Sequence, residues 1–297
     1  MKNIKILSDS SISIDKNDPL YKHVTLIPLS IIHNNNQYLD QIDLSSEDVN
    51  RLIRDNQMIQ TSQPSIGKVV EILEEVKNEN YDHIYIITVS SKLSGTINSI
   101  TQAVDLLNLE NVSIVDTMSV AGPAYFVAKT IYDLNNQGKS SEEILNAVQA
   151  SLDDTTSYVY PETLEQLKRG GRISKGAATL ASLLKIKPIL VLENKGVTIE
   201  KFATARTESK VYEKMVEEMV KHNIKPETHE LFYLENVAKD KVATLDKLIS
   251  DTIGKFESKT LTLPAVLVTH IGIGGIALQW IHKVSWYFLT FYCIISR

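Results

Sequence analysis

Short apolar runs rich in β-branched residues alternate, along the first half of the chain, with stretches whose apolar positions recur every three or four residues. "IKIL", "VTLIPLSII", "HIYIITV" and "VSIV" read as strands, whereas "GKVVEILEEV" and "SEEILNAVQASL" read as helices. That alternation predicts βαβ units and a mostly parallel sheet. A second series begins near residue 155. It runs strand "SYVY", helix "PETLEQL", a Gly-rich turn, helix "AATLASLL", strands "KPILVLE" and "GVTIEKFAT", helix "ESKVYEKMVEEMV", strand "HELFYL", helix "KDKVATLDKLISDTI" and strand "PAVLVTH". The expected class is α/β, with a Rossmann-like domain over residues 1–155, a second α/β domain over 156–283 and a hydrophobic tail over 284–297. No linker or repeat separates the halves, so a cleft between them is the default ligand site.

Composition narrows the function. With 297 residues, 43% hydrophobic and 23% charged, the chain is long enough for a large core. A net charge of -5 with interspersed Lys and Arg argues against nucleic acid, because phosphate binding needs clustered cations. The single Cys293 excludes an internal disulfide and any multi-cysteine metal site. With no signal peptide at "MKNIKILSDSS", a cytoplasmic location is expected. The tail "VSWYFLTFYCIIS" is too short to span a bilayer, which takes roughly 20 residues. It is expected to pack on the body or to be a non-native extension, with a tail anchor or a transient membrane contact as the lesser alternatives.

Three hydroxyl- or glycine-rich stretches suggest chemistry. In "TSQPS", residues 61 to 65, one oxygen suffices to cap the following helix. Thr61 and Ser62 sit on extended chain, on opposite sides, beside a helix N-terminus able to seat an anion. In "SSKLSGT" Ser94 follows a strand directly, where α/β sheets bind ligands, and Gly95 lets backbone approach closely. In "VLVTHIGIGG" His270 ends a buried strand, and Gly272 and Gly274 form the turn after it. Each has an ordinary structural alternative: a helix cap, a strand-to-helix turn, a histidine at a strand end. The basic turn "LEQLKRGGRISKG" suits a phosphate or partner site, or a helix end capped by favourable charges. Arg206 stands where a strand gives way to a helix. There is no P-loop, no H-E-x-x-H, no G-x-S-x-G elbow and no C-x-x-C, so nucleotide or metal chemistry has no motif.

Taken in order, "SDSS", "TSQPSIG", "SSKLSGT", "VDTMS", "LEQLKRGGRISKG", "LLKIKPIL", Arg206 and "HIGIGG" resemble the DegV family of bacterial fatty-acid-binding proteins, from residue 4 to about 283. The resemblance implies a two-domain α/β protein holding one long-chain fatty acid between its domains, with no other cofactor and no catalysis of its own. In members of the FakB type the carboxylate is presented to a separate fatty acid kinase, which makes acyl-phosphate for phospholipid synthesis. Carried over by motif, the carboxylate seat is Thr61, Ser62, Ser94 and His270. Arg206 matches an arginine implied in engaging the kinase. Two features depart from the pattern: Ile273 stands where many relatives have proline, and the aromatic tail after Lys283 has no counterpart. The competing readings are a hydrolase using Ser94 with His270, and a protein held to a membrane by its tail.

Overall fold

The computed structural model describes residues 2–179, 186–193 and 198–284. In the first half come β1 (Ile4–Asp9), β2 (Val24–Ile27), β3 (Ser30–His33), β4 (Asn36–Leu39), α1 (Ser46–Arg54), β5 (Ile59–Ser62) and α2 (Ile66–Lys77). They are followed by β6 (His83–Thr88), α3 (Thr96–Leu106), β7 (Val112–Asp116), α4 (Gly122–Asn136) and α5 (Ser141–Leu152). Strands β2-β1-β6-β7 form a wholly parallel sheet, as the alternation of runs predicts. The run "VTLIPLSII" is two strands instead of one. Pro28 has no N–H for a ladder, and the chain leaves the parallel sheet there to enter a small antiparallel sheet, β4-β3-β5. The β3–β4 hairpin turns through Asn34 and Asn35, both at positive φ, as a tight two-residue turn requires.

The second half comprises β8 (Thr155–Tyr160), α6 (Glu165–Gly170), α7 (Lys175–Ala178), β9 (Lys187–Glu193), β10 (Glu200–Ala205) and α8 (Glu208–Lys221). After these come β11 (His229–Glu235), α9 (Lys239–Thr252), β12 (Ser258–Thr262), α10 (Ala265–Ile271) and β13 (Ile276–His282). The six-stranded sheet runs β10-β9-β8-β13-β11-β12, antiparallel except for β11 with β12. Most of the expected "AATLASLL" helix and residues 285–297 of the tail, Cys293 included, lie outside the described residues. Val284, the last described residue, packs against the main core.

One expectation is overturned. "PAVLVTH" is not a strand: Ala265–Ile271 is a helix, so His270 sits in the last turn of α10. A seven-residue apolar run does not distinguish a buried strand from a buried helix by periodicity. Pro264 precedes the first turn and Gly272, at φ +78, ends the last. The Asp40 carboxylate meets the N-terminal end, accepting from the Val266 N–H at 3.0 Å. Helix α10 is packed by α1, α6, β5 and β3.

Helix α4 lies between the parallel sheet and the six-stranded sheet, touching β1 and β6 on one side and β11 and β13 on the other. Its apolar residues therefore face all round. The core built on it contains Ile6 and Tyr85 from one sheet with Val159, Phe232 and Ile281 from the other. At the seam of these layers opens a cavity.

Candidate functional site

The cavity draws Thr61 and Ser62 from the end of β5, Ser94 from the loop after β6 and His270 from α10. To these it adds Ser11 and Arg172. About 90 Å³ is open to the centre of a water molecule, within about 850 Å³ of atom-free space that includes the mouth, so the shape is a narrow slot. Most of its remaining wall is apolar, with Leu93, Val120, Val159, Leu192 and Leu234 among the lining side chains.

Three local features assemble the polar group. The helix cap of α2 is Ser65, whose Oγ accepts from the Lys68 N–H at 3.2 Å. Thr61 and Ser62 are therefore free of capping duty, and both line the cavity although they alternate on the strand. Gln63 folds over Gly95: a Cβ there would lie 1.8 Å from Gln63 Oε1. Its Nε2 donates to Ser99 Oγ of α3 at 2.7 Å, which pins the loop after β5 against the start of α3, just beyond Ser94. Arg172 closes the third side. Its Nε donates to the Leu93 carbonyl at 3.3 Å and one terminal nitrogen to the Gly170 carbonyl at 2.6 Å.

His270 Nε2 lies 2.8 Å from Thr61 Oγ1, while Nδ1 is buried and has no hydrogen-bond partner among the described residues. Nδ1 faces Gly170, where a Cβ would come within 2.2 Å of it. The imidazole therefore reaches the cavity only through its Nε2 side and Thr61. Burial, then the positive charge of Arg172, hold its pKa down to about 4, so the ring is neutral at neutral pH. With the proton on Nε2, the ring donates to Thr61 and leaves that hydroxyl's own hydrogen free for a third group. Ser94 Oγ is 2.8 Å from Thr96 Oγ1 and also accepts from the Thr96 N–H at 3.3 Å. Ser11 differs: its hydroxyl donates to Asp9 Oδ1 at 2.5 Å and has no hydrogen left. Asp9 also accepts from the Ser11 and Val89 N–H groups, and burial still raises its pKa.

Among the described residues, Arg172 is the one formally charged side chain lining the cavity. The sequence analysis noted it only as part of a basic turn, because nothing in the spacing says which of Lys168, Arg169, Arg172 and Lys175 turns inward. Gly272 and Gly274, at φ +78 and +77, shape the turn after α10. That turn is tied down through Asn236, whose Nδ2 donates to the Gly272 carbonyl and whose carbonyl accepts from the Gly274 N–H. Arg206 does not join the group. It is exposed between β10 and α8, and makes no hydrogen bond or ion pair with the described residues.

The arrangement supplies one fixed cation and several O–H donors beside an apolar slot. It is suited to an anionic head on a hydrocarbon body. Ser94 is bonded to Thr96 and His270 to Thr61, and among the described residues no carboxylate meets His270 Nδ1.

Comparison with known proteins agrees with the resemblance read from the motifs. The model of the DegV family, described as one of uncharacterised proteins, matches residues 3–283. A DegV domain-containing protein of Streptococcus pneumoniae is 28% identical over 279 residues, covering 94% of this chain and 98% of its own. The protein DegV of Bacillus subtilis is 27% identical over 283 residues, with 95% and 100% covered. Among solved structures, a fatty-acid-binding DegV family protein from Thermus thermophilus superposes with a TM-score of 0.84 at 25% identity, covering 95% of this chain and 100% of its own. DegV of Bacillus subtilis, described as a fatty acid binding protein, superposes with a TM-score of 0.78 at 27% identity and the same coverage. The chain therefore belongs to the DegV family.

Proposed function

We propose that this protein holds one long-chain fatty acid, with its carboxylate among Thr61, Ser62, Ser94, Arg172 and the His270 imidazole and its tail in the apolar slot. The observation that carries this reading is the convergence of those side chains, from four separate segments, on a single cavity that is otherwise lined mostly by hydrocarbon. Fatty acid binding by the two relatives above supports it. Burying an ionised carboxylate costs several kcal/mol or more unless donors surround it, and each charge-assisted bond returns roughly 1.5–3 kcal/mol. For a sixteen-carbon acid, about 14 methylenes at ~0.8 kcal/mol each bring up to about 11 kcal/mol before ordering costs. The tail supplies affinity and the polar group supplies orientation.

The finer part of the proposal is that the bound acid is presented to a separate fatty acid kinase catalytic subunit. The resemblance to FakB-type members supports it, as does the exposed guanidinium of Arg206 outside the cavity, which pairs with no side chain among the described residues. Mass spectrometry of lipid extracted from the purified protein tests the carrier reading: a long-chain acid should co-purify, and the double substitution of Thr61→Val with Ser94→Ala should lower its occupancy at least tenfold. Full occupancy in that variant would refute the seat. Arg206→Ala should keep the lipid and slow acyl-phosphate formation in a reconstituted mixture with kinase; an undiminished rate would remove Arg206 from the partner interface.

A further inference from the structure

The hydrocarbon part of the cavity is interrupted by a polar pair. Ser157 of β8 and Gln279 of β13 are register partners on adjacent strands, and both line the cavity. The next inward-facing pair, Val159 with Ala277, is apolar. Strand β13 starts just beyond the Gly272–Gly275 turn that ends α10, and Gln279 is three residues into it. The pair therefore lies about 10 Å along the sheet from that turn.

The fold accounts for Gln279. Its Oε1 accepts from the Gly122 N–H at 3.0 Å, and its Nε2 donates to the Val120 carbonyl at 2.9 Å and to Ser157 Oγ at 2.7 Å. It clamps the backbone on either side of Ala121, which is held at φ 61. The fold gives the Ser157 hydroxyl hydrogen only a long contact among the described residues. That contact is to Ser119 Oγ at 3.5 Å, longer than the usual O–H···O bond, and either hydroxyl can be its donor. Both serines are buried, at 2% and 3% exposure. A buried hydroxyl whose hydrogen makes only a long bond gains from a better-placed acceptor.

We propose that Ser157, backed by Gln279, is a specificity-determining site that admits acyl chains carrying a hydroxyl near mid-chain. Such a group accepts from the Ser157 O–H and donates to the second lone pair of Gln279 Oε1, so both partners are matched. An unsubstituted chain leaves the pair unmatched. The inference rests on the carrier reading above.

The test uses the full-length chain stripped of lipid. Stearic acid and a series of stearic acids bearing one hydroxyl at successive carbons compete for it. One or two adjacent mid-chain positions should bind within about threefold of stearic acid, and hydroxyls elsewhere along the tail about tenfold more weakly or worse. In Ser157→Ala the favoured position should lose about tenfold relative to stearic acid, whereas Ser157→Thr, which keeps a hydroxyl, should retain it. The readout is a ratio of affinities, so a general loss of binding cancels. A flat positional profile in the unsubstituted protein overturns the proposal without any variant, as does an unchanged ratio in Ser157→Ala. Failure to bind stearic acid at all would bring down the carrier reading as well, which distinguishes the two.

Discussion

Gly170 lacks a side chain where the ring of His270 fills the space. In Gly170→Ala the new methyl would stand 2.2 Å from Nδ1 within a packed interior, so the imidazole must move and the contact with Thr61 is lost. Overpacking of this kind costs about 1–3 kcal/mol. The expected outcome is a folded protein, several degrees less stable in a thermal scan, whose fatty acid retention falls about tenfold by fluorescence competition; unaltered retention would mean that His270 has no part in the seat. Thr61, Ser94 and His270 were legible as candidates because hydroxyls beyond those a cap needs, and a histidine before glycines, are local features. Arg172 was not legible as a member, because inward or outward orientation at a basic turn is decided by what packs over it, here the Leu93 and Gly170 carbonyls.

The seat depends on how elements dock. The loops after β5 and β6 meet through Gln63 lying on Gly95, so Gly95→Ala should separate them and weaken ligand binding, while Gln63→Ala in the same chain should recover most of the loss. A double-mutant cycle measures this, and additive effects would dissociate the two residues. Helix α10 carries a different consequence. Asp40, at its N-terminal end, has its pKa pushed up from the ordinary 3.8 to about 7 by burial, and one of its carboxyl oxygens has no hydrogen-bond partner among the described residues. The folded state thus holds a proton the unfolded chain has lost between those values, and stability declines as pH rises through that window. Glu230, raised from 4.5 to about 7 by burial, adds to the slope. His270 opposes it below its ordinary 6.5, where the unfolded chain takes up a proton that the folded one refuses down to about 4. Asp40→Asn should remove roughly 2–3 kcal/mol of the stability lost between about pH 5 and about pH 8, read from urea unfolding at both. An unchanged slope would show that Asp40 ionises normally. The strand expected at "PAVLVTH" failed at this scale, since an apolar run of that length takes its conformation from its neighbours.

Across the whole molecule, the parallel sheet and the six-stranded sheet share α4, and one core runs through both. We propose that residues 1–155 and 156–283 are distinct in their sheets yet unfold together. Calorimetry of the full chain should give one transition, and a fragment ending at residue 155 should be largely unfolded, because α4 would expose the face that packs on β11 and β13; two well-separated transitions would contradict this. The alternation of apolar runs determined the α/β class, the parallel first sheet and most strands and helices, because side-chain periodicity of two or 3.6 is written locally. The ordered motifs determined the family, and the surplus hydroxyls marked candidate contacts. Only the tertiary structure decided that α10 is a helix, that α4 is buried on both sides, that Arg172 turns inward while Arg206 stays out, and that Ser157 interrupts an apolar wall. Each of those depends on groups far apart in the chain meeting at one place, where burial and hydrogen-bond demand, and not local preference, set the outcome.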